Sequence, residues 1–117
     1  MGQRAKALLG VRPQLVARLI LYPVGQSSRR GPLRPGFGCP CFPSTDQGDQ
    51  GWDCWLLLGD REMQLGTTRD VGFVFLSGDE AVNHLKSRPR FYLRETGFIG
   101  EAVPLELDPD GWQPSLD

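Results

Sequence analysis

The chain has 117 residues, of which 39% are hydrophobic and 23% charged, a composition typical of one globular domain that excludes an intrinsically disordered chain. Its most apolar stretch, residues 15–24, contains Arg18 and Pro23. That stretch is shorter than the roughly 20 residues that a transmembrane helix needs, and it lacks the cleavage site of a signal peptide. We therefore expect a cytoplasmic protein that does not engage a membrane.

The charge is distributed unevenly along the chain. Residues 1–34 carry seven basic side chains and no acidic one, whereas residues 35–117 carry six basic and fourteen acidic side chains. Two explanations remain open at this stage. Either the two parts pair with each other in the folded chain, or the basic part faces nucleic acid or an acidic protein.

The elements predicted in chain order are mostly strands. Residues 1–11 are predicted to form an N-terminal arm, and residues 108–117, rich in Asp and Pro, a C-terminal tail. Between them, six segments combine alternating or β-branched and aromatic residues with Gly and Pro at their ends. These predicted strands are residues 12–22, 36–42, 52–59, 68–77, 90–95 and 98–107. Six short strands predict a small closed barrel or a sandwich.

One stretch favours a helix. Ser77 and Glu80 have the spacing of a capping box, Val82 and Leu85 follow at helical spacing, and Pro89 ends the segment. We expect one or two helical turns there. The strand that precedes them is apolar on both faces, so its outer face should be covered by a loop, a terminal arm or a partner.

Three motifs in order resemble the C-terminal β-barrel domain of elongation factor Tu. That domain has a basic turn, Gly-Gly-Arg-His-Thr-Pro-Ile, to which residues 27–33 (SSRRGPL) are similar. Residues 36–39 (GFGC) look like a degraded form of its next strand, Gly/Asn-Tyr-Arg-Pro-x-Phe. Residues 91–100 (FYLRETGFIG) are similar to its Phe-x-Ile/Leu-Arg-Glu-Gly-Gly-x-x-Ile/Val-Gly motif, with a turn one residue shorter. The resemblance covers about residues 12–107.

This resemblance implies an all-β fold, a six-stranded antiparallel Greek-key β-barrel, here with one short helical turn. In that family the domain performs no chemistry. It supports the GTP-binding domain, contacts the exchange factor and holds the backbone of aminoacyl-tRNA. The matching tRNA-contacting positions are Arg29, Glu95 and Thr96. This chain has no Gly-x-x-x-x-Gly-Lys-Ser/Thr phosphate loop, so we expect neither nucleotide binding nor elongation-factor activity.

The cysteines raise the question of a metal or thiol site. Cys39, Cys41, Cys54 and His84 are the only Cys and His residues, and no Cys-x-x-Cys spacing occurs. On a strand, Cys39 and Cys41 would share a face about 6.5–7 Å apart, wider than one tetrahedral metal favours. Cys41 and Cys54 flank residues 42–53 and could face each other as a cross-strand pair. We expect buried thiols in the core, with no metal, cofactor or catalytic residue; a metal or thiol site is the less favoured alternative.

The sequence thus predicts a non-catalytic binding module that engages a protein partner. The main alternative is binding of RNA or tRNA backbone through the loop that carries Arg29, Arg30 and Arg34, although a pI near 5.8 argues against a strongly basic footprint. Trp52 and Trp55 lie on opposite faces of their strand, so at most one should be exposed. The residues predicted to contact RNA or a partner are Arg29, Arg30, Arg34, Arg94, Glu95 and Thr96.

Overall fold

The computed structural model describes residues 2–46, 48–106, 108–109 and 112 of the chain. The strands are β1 (Leu15–Leu21), β2 (Gly38–Phe42), β3 (Trp52–Leu57), β4 (Thr68–Phe75), β5 (Phe91–Arg94) and β6 (Phe98–Pro104). They close into an antiparallel barrel in the order β1-β4-β3-β2-β5-β6. Each strand lies inside its predicted segment. Because β2, β3 and β4 are consecutive neighbours and β5 returns to lie beside β2, the predicted Greek-key barrel is confirmed.

The helices differ from the expectation in two ways. A short helix, α1 (Gln3–Leu8), lies within the segment predicted as an arm, so the described residues form two short helices rather than one helical turn. The second helix, α2 (Asp79–Leu85), has Gly78 as its N-cap and no side-chain capping bond, so the capping box of Ser77 and Glu80 is wrong. The turn out of β4 places Gly78 at φ 63°, a conformation that glycine adopts readily, and this displaces the cap by one residue.

The barrel interior is filled by the alternate residues of every strand. Phe73 of β4 and Phe91 of β5 are fully buried and meet edge to face, with ring centroids 5.3 Å apart. Leu85 of α2 is fully buried at one end of the barrel. At the opposite end, Leu33 and Met63 exchange two backbone hydrogen bonds of 2.9 Å and are also fully buried. The core is therefore closed at both ends by the chain itself.

The outer face of β4 is covered, as its apolar sequence predicts. Gly72 pairs with Val16 of β1 and Leu57 of β3, which are buried although they point away from the barrel interior. A Cβ atom on Gly72 would lie 2.7 Å from the Trp112 ring and 2.8 Å from Pro13. Segments flanking the barrel in sequence therefore provide the cover. Apart from residues 108–109 and 112, the predicted C-terminal tail lies outside the described residues.

Candidate interaction surface

Arg29 ties the basic loop to the turn between β5 and β6. Its Nε donates to the carbonyl of Gly31 and its Nη2 to that of Pro32, both at 2.9 Å. Its Nη1 donates to the two carboxylate oxygens of Glu95 at 3.1 and 3.0 Å, and the guanidinium lies 4.9 Å from the Phe37 ring centroid. The Arg29 side chain is 25% exposed and that of Glu95 33%. The guanidinium is thus engaged by groups of the protein itself.

The other predicted contact residues do not gather around Arg29. Arg34 forms an ion pair with Glu62 at 3.4 Å and its side chain is 76% exposed. Arg30 and Thr96 are exposed, and Arg94 stacks on aromatic rings described below. Of the six predicted residues, only Arg29 and Glu95 contact each other through their side chains in the described part of the chain.

Ion pairs link the basic first part of the chain to the acidic remainder. The pairs Arg18–Asp70, Arg29–Glu95 and Arg34–Glu62 each join a basic residue of the first 34 to an acidic residue of the remainder. This pattern supports mutual pairing of the two parts of the chain over a uniformly basic face.

A different group of residues forms an aromatic and arginine-rich face on the barrel exterior. We name it the β5 surface and define it by Tyr22, Phe42, Tyr92, Arg94 and Phe98. The Arg94 guanidinium lies 5.7 Å from the ring centroids of both Phe42 and Phe98. Tyr92 meets Phe98 edge to face at 6.1 Å. All five residues are half-buried, so they keep part of their area available to solvent.

Glu101 of β6 stabilises one side of the β5 surface. Its side chain is only 16% exposed, accepts a hydrogen bond of 2.9 Å from the Tyr22 hydroxyl and forms an ion pair with Arg90. Burial raises the pKa of Tyr22, and the neighbouring Tyr92 raises it further. Tyr22 therefore remains a neutral hydrogen-bond donor, and its ring is held in place within the β5 surface.

Strand alternation builds this surface. In β5, Phe91 and Leu93 are buried, so Tyr92 and Arg94 point outward. The register slips between Leu93 and Arg94, which brings Arg94 opposite Phe98 of β6. Sequence reasoning selected Arg94 but missed the rings around it. The sequence did contain a signal for these rings, because aromatic residues at outward strand positions are not needed to fill the core.

The two central tryptophans are both covered. Trp52 is a core residue, 7% exposed, and stacks on His84 with ring centroids 4.9 Å apart. Trp55 is half-buried on the opposite face, and the Arg4 guanidinium of α1 lies 5.6 Å from its ring. The prediction that the two rings lie on opposite faces is confirmed. The Arg4 side chain of α1 lies near the ring that points outward.

The three cysteines are free thiols inside the core. Cys39 lies directly opposite Cys54, and Cys41 lies opposite Trp52, so a directly facing Cys41–Cys54 pair is wrong in register. The Sγ atoms of Cys41 and Cys54 nevertheless meet diagonally at 3.1 Å. The contact with Cys54, followed by burial, raises the pKa of Cys39, and burial raises the pKa of Cys41 and Cys54. Thiols in this state are poor nucleophiles.

A structural metal site needs about four ligands gathered in one place. His84, the only histidine, is exposed on α2 and stacks on Trp52. Within the described residues, no group of three or more His, Cys, Asp or Glu side chains is arranged to hold a metal ion. The three cysteine side chains are part of the hydrophobic core.

Pro40 sits where β2 has a strand neighbour on one side only. The Leu56 N–H donates to the Phe37 carbonyl. Because the bonded residues alternate along an antiparallel pair, the odd-numbered residues of β2 bond to β3. The nitrogen of Pro40, an even-numbered residue, therefore points towards β5. The β2–β5 pairing is limited to Cys41 and Phe42. The missing N–H of Pro40 therefore costs no ladder hydrogen bond, as expected for a proline at a strand edge.

Comparisons of the chain with protein-family models, curated proteins and solved structures find no match. The resemblance to the elongation factor Tu barrel stays a prediction. Neither of the two helices in the described residues has the length and apolar character needed to cross a membrane.

Proposed function

We propose that this chain is a non-catalytic binding module that docks a protein partner on the β5 surface. The observation that carries the proposal is Arg94 between the rings of Phe42 and Phe98, with Tyr92 beside them, on the outside of a closed barrel. Aromatic residues and arginine are the residues enriched at the centres of protein interfaces. Here they are already ordered by mutual contacts, which lowers the entropy lost on docking.

Two observations support a non-catalytic role. The thiols, the strongest nucleophiles in the chain, are buried with raised pKa values. His84, the only histidine, stacks on a tryptophan ring. The resemblance to a barrel domain that acts by binding agrees with this proposal. A cytoplasmic location stays a prediction.

A protein partner is favoured over RNA by the charges. Arg29 is engaged by Glu95 and Arg34 is paired with Glu62, so two of the three loop arginines are partly neutralised. The net charge of −1 gives no general attraction to phosphate. RNA binding remains the competing outcome of the experiment.

The test is affinity capture from cells that express the chain, using wild type and two charge-reversal variants. Arg94→Glu changes the β5 surface. Arg18→Glu is the matched control, because Arg18 is also an outward strand residue but pairs with Asp70 in the β1–β4 pairing. We expect a protein that is retained by wild type and Arg18→Glu and is at least about tenfold weaker with Arg94→Glu. Equal retention by Arg94→Glu would contradict the proposal.

Nuclease treatment and an RNA-binding measurement distinguish a protein partner from an RNA partner. If nuclease treatment removes all captured material, or if purified chain binds labelled RNA with micromolar affinity that falls steeply between about 50 and 200 mM salt, the RNA alternative replaces the protein partner. In that case Arg30→Ala with Arg34→Ala should weaken binding, and Arg94→Glu should not be selective. Circular dichroism and urea unfolding of each variant confirm that the comparison is between folded proteins.

A further inference from the structure

A cleft of about 410 Å³ lies at the α2 end of the barrel, apart from the β5 surface. One side is the segment that leads from α2 to β5, and the other is the segment that follows β6. Its apolar lining includes the side chains of Leu15, Pro89, Pro104 and Leu105. Its charged lining consists of Lys86, Arg88 and Glu106.

The backbone around the cleft is held by hydrogen bonds. The N–H groups of Lys86 and Arg88 donate to the carbonyls of Val82 and Leu85, which continues the turn at the end of α2. On the other side, the Leu105 N–H donates to the Val16 carbonyl at 2.9 Å, so the chain after β6 stays against β1. The cleft is therefore formed by segments anchored to the barrel. It does not depend on a free loop.

Its basic side chains differ from four arginines of the barrel that are each paired with a carboxylate. Arg18, Arg29 and Arg34 each pair with a carboxylate. Arg90 pairs with Glu101. In the described part of the chain, Lys86 and Arg88 are exposed and form no ion pair. With two cations against the single carboxylate of Glu106, the cleft carries a net positive charge.

We propose that this cleft binds a small organic anion with an apolar body. The anionic group is held by Lys86 and Arg88, and the apolar part lies against Leu15, Pro104 and Leu105. Charge-assisted hydrogen bonds from an ammonium and a guanidinium suit a carboxylate, and the volume is within the range of about 300–1,000 Å³ seen for small-molecule sites. This site is independent of the proposed partner surface, because it shares no residue with it.

The test is a titration of the isotope-labelled protein with phenylbutyrate, followed by two-dimensional amide NMR. We expect saturable shifts of the amides of residues 86–88 and 105–106, with a Kd on the order of 1 mM for a ligand of this size. Phenylbutyramide, which lacks the charge, and acetate, which lacks the apolar body, should each bind about tenfold more weakly. Those two controls separate the electrostatic from the apolar contribution.

Matched variants then locate the anion. Lys86→Gln with Arg88→Gln should weaken phenylbutyrate binding about tenfold, whereas Arg30→Gln with Arg34→Gln, in the loop at residues 26–36, should leave it unchanged. Both double variants are confined to exposed side chains, so the fold should persist. The proposal is overturned by equal binding of phenylbutyramide, by shifts centred on Tyr92 and Arg94, or by no saturable shift up to about 20 mM. It is also overturned if the Lys86 and Arg88 variant binds as wild type does.

Discussion

Arg29 and Glu95 form an ion pair in which one guanidinium nitrogen contacts both carboxylate oxygens, at 3.1 and 3.0 Å. The two residues are 66 positions apart, so the pair joins the loop before β2 to the turn before β6. Because the same guanidinium donates to the carbonyls of Gly31 and Pro32, it stabilises the shape of the loop as well as its position. Arg29 therefore has a structural role whatever the chain binds.

Replacing Arg29 by alanine should destabilise the protein. The change removes two hydrogen bonds to backbone carbonyls and the pair with Glu95, and bonds from a charged donor contribute about 1.5–3 kcal/mol each at most. Partial exposure of both side chains reduces the effect, so we expect a loss of about 2 kcal/mol in the free energy of unfolding, measured by urea denaturation. Arg34→Ala, which removes an exposed pair, should cost less than about 0.5 kcal/mol. Equal losses of unfolding free energy in the two variants would contradict the structural role of Arg29.

Gly100 should not tolerate a side chain. A Cβ atom there would lie 2.8 Å from the Ile20 carbonyl oxygen, a backbone atom of β1 that cannot rotate away. Gly100→Ala should therefore reduce the free energy of unfolding by about 1–3 kcal/mol. Gly31→Ala is the control, since nothing lies within 4 Å of the new Cβ, and it should be neutral or slightly stabilising. Thermal unfolding of the two variants tests the difference in one experiment.

The cysteines should resist modification in the native protein. Because Cys39, Cys41 and Cys54 are buried with raised pKa values, DTNB should react with them at least about 100-fold more slowly than in denaturant, where all three thiols become accessible. Ser77→Cys provides an exposed thiol as an internal standard, which should react rapidly under native conditions. A native reaction of the wild type at the rate of that standard would show that the core thiols are accessible.

The same raised pKa values predict lower stability at alkaline pH. Below about pH 8 the thiols are protonated in both the folded and the unfolded state, so their contribution to the free energy of unfolding is at its maximum. As the pH rises past the unfolded pKa of about 8.5, the unfolded thiols lose protons while the folded ones keep them, and the free energy of unfolding falls. Each thiol contributes a slope of about 1.4 kcal/mol per pH unit. Cys54→Ala should reduce the slope above about pH 9.5 by up to that amount in urea titrations, whereas an unchanged slope would contradict the prediction.

Much of the fold could be predicted from local patterns. All six strands lie within the predicted segments, because alternating apolar residues and Gly/Pro turns act over a few neighbouring positions. The helix after β4 was also predicted, but its predicted capping box was wrong, since the turn at Gly78 depends on how β4 leaves the barrel. Helix α1 was missed because its single buried residue, Ala5, carries little periodic signal.

The amino-acid sequence by itself determined which strand residues face the core, and with them the outward positions of Tyr92 and Arg94. Only the tertiary structure decided which distant residues meet: Arg29 with Glu95, Arg94 with Phe42, and Cys54 with Cys39 rather than Cys41 across the ladder. The physical reason is that side-chain alternation is a property of a single strand, whereas the register and order of strands depend on the free energy of closing the whole barrel. The surface proposed here for a partner, and the cleft proposed for an anion, are products of that closure.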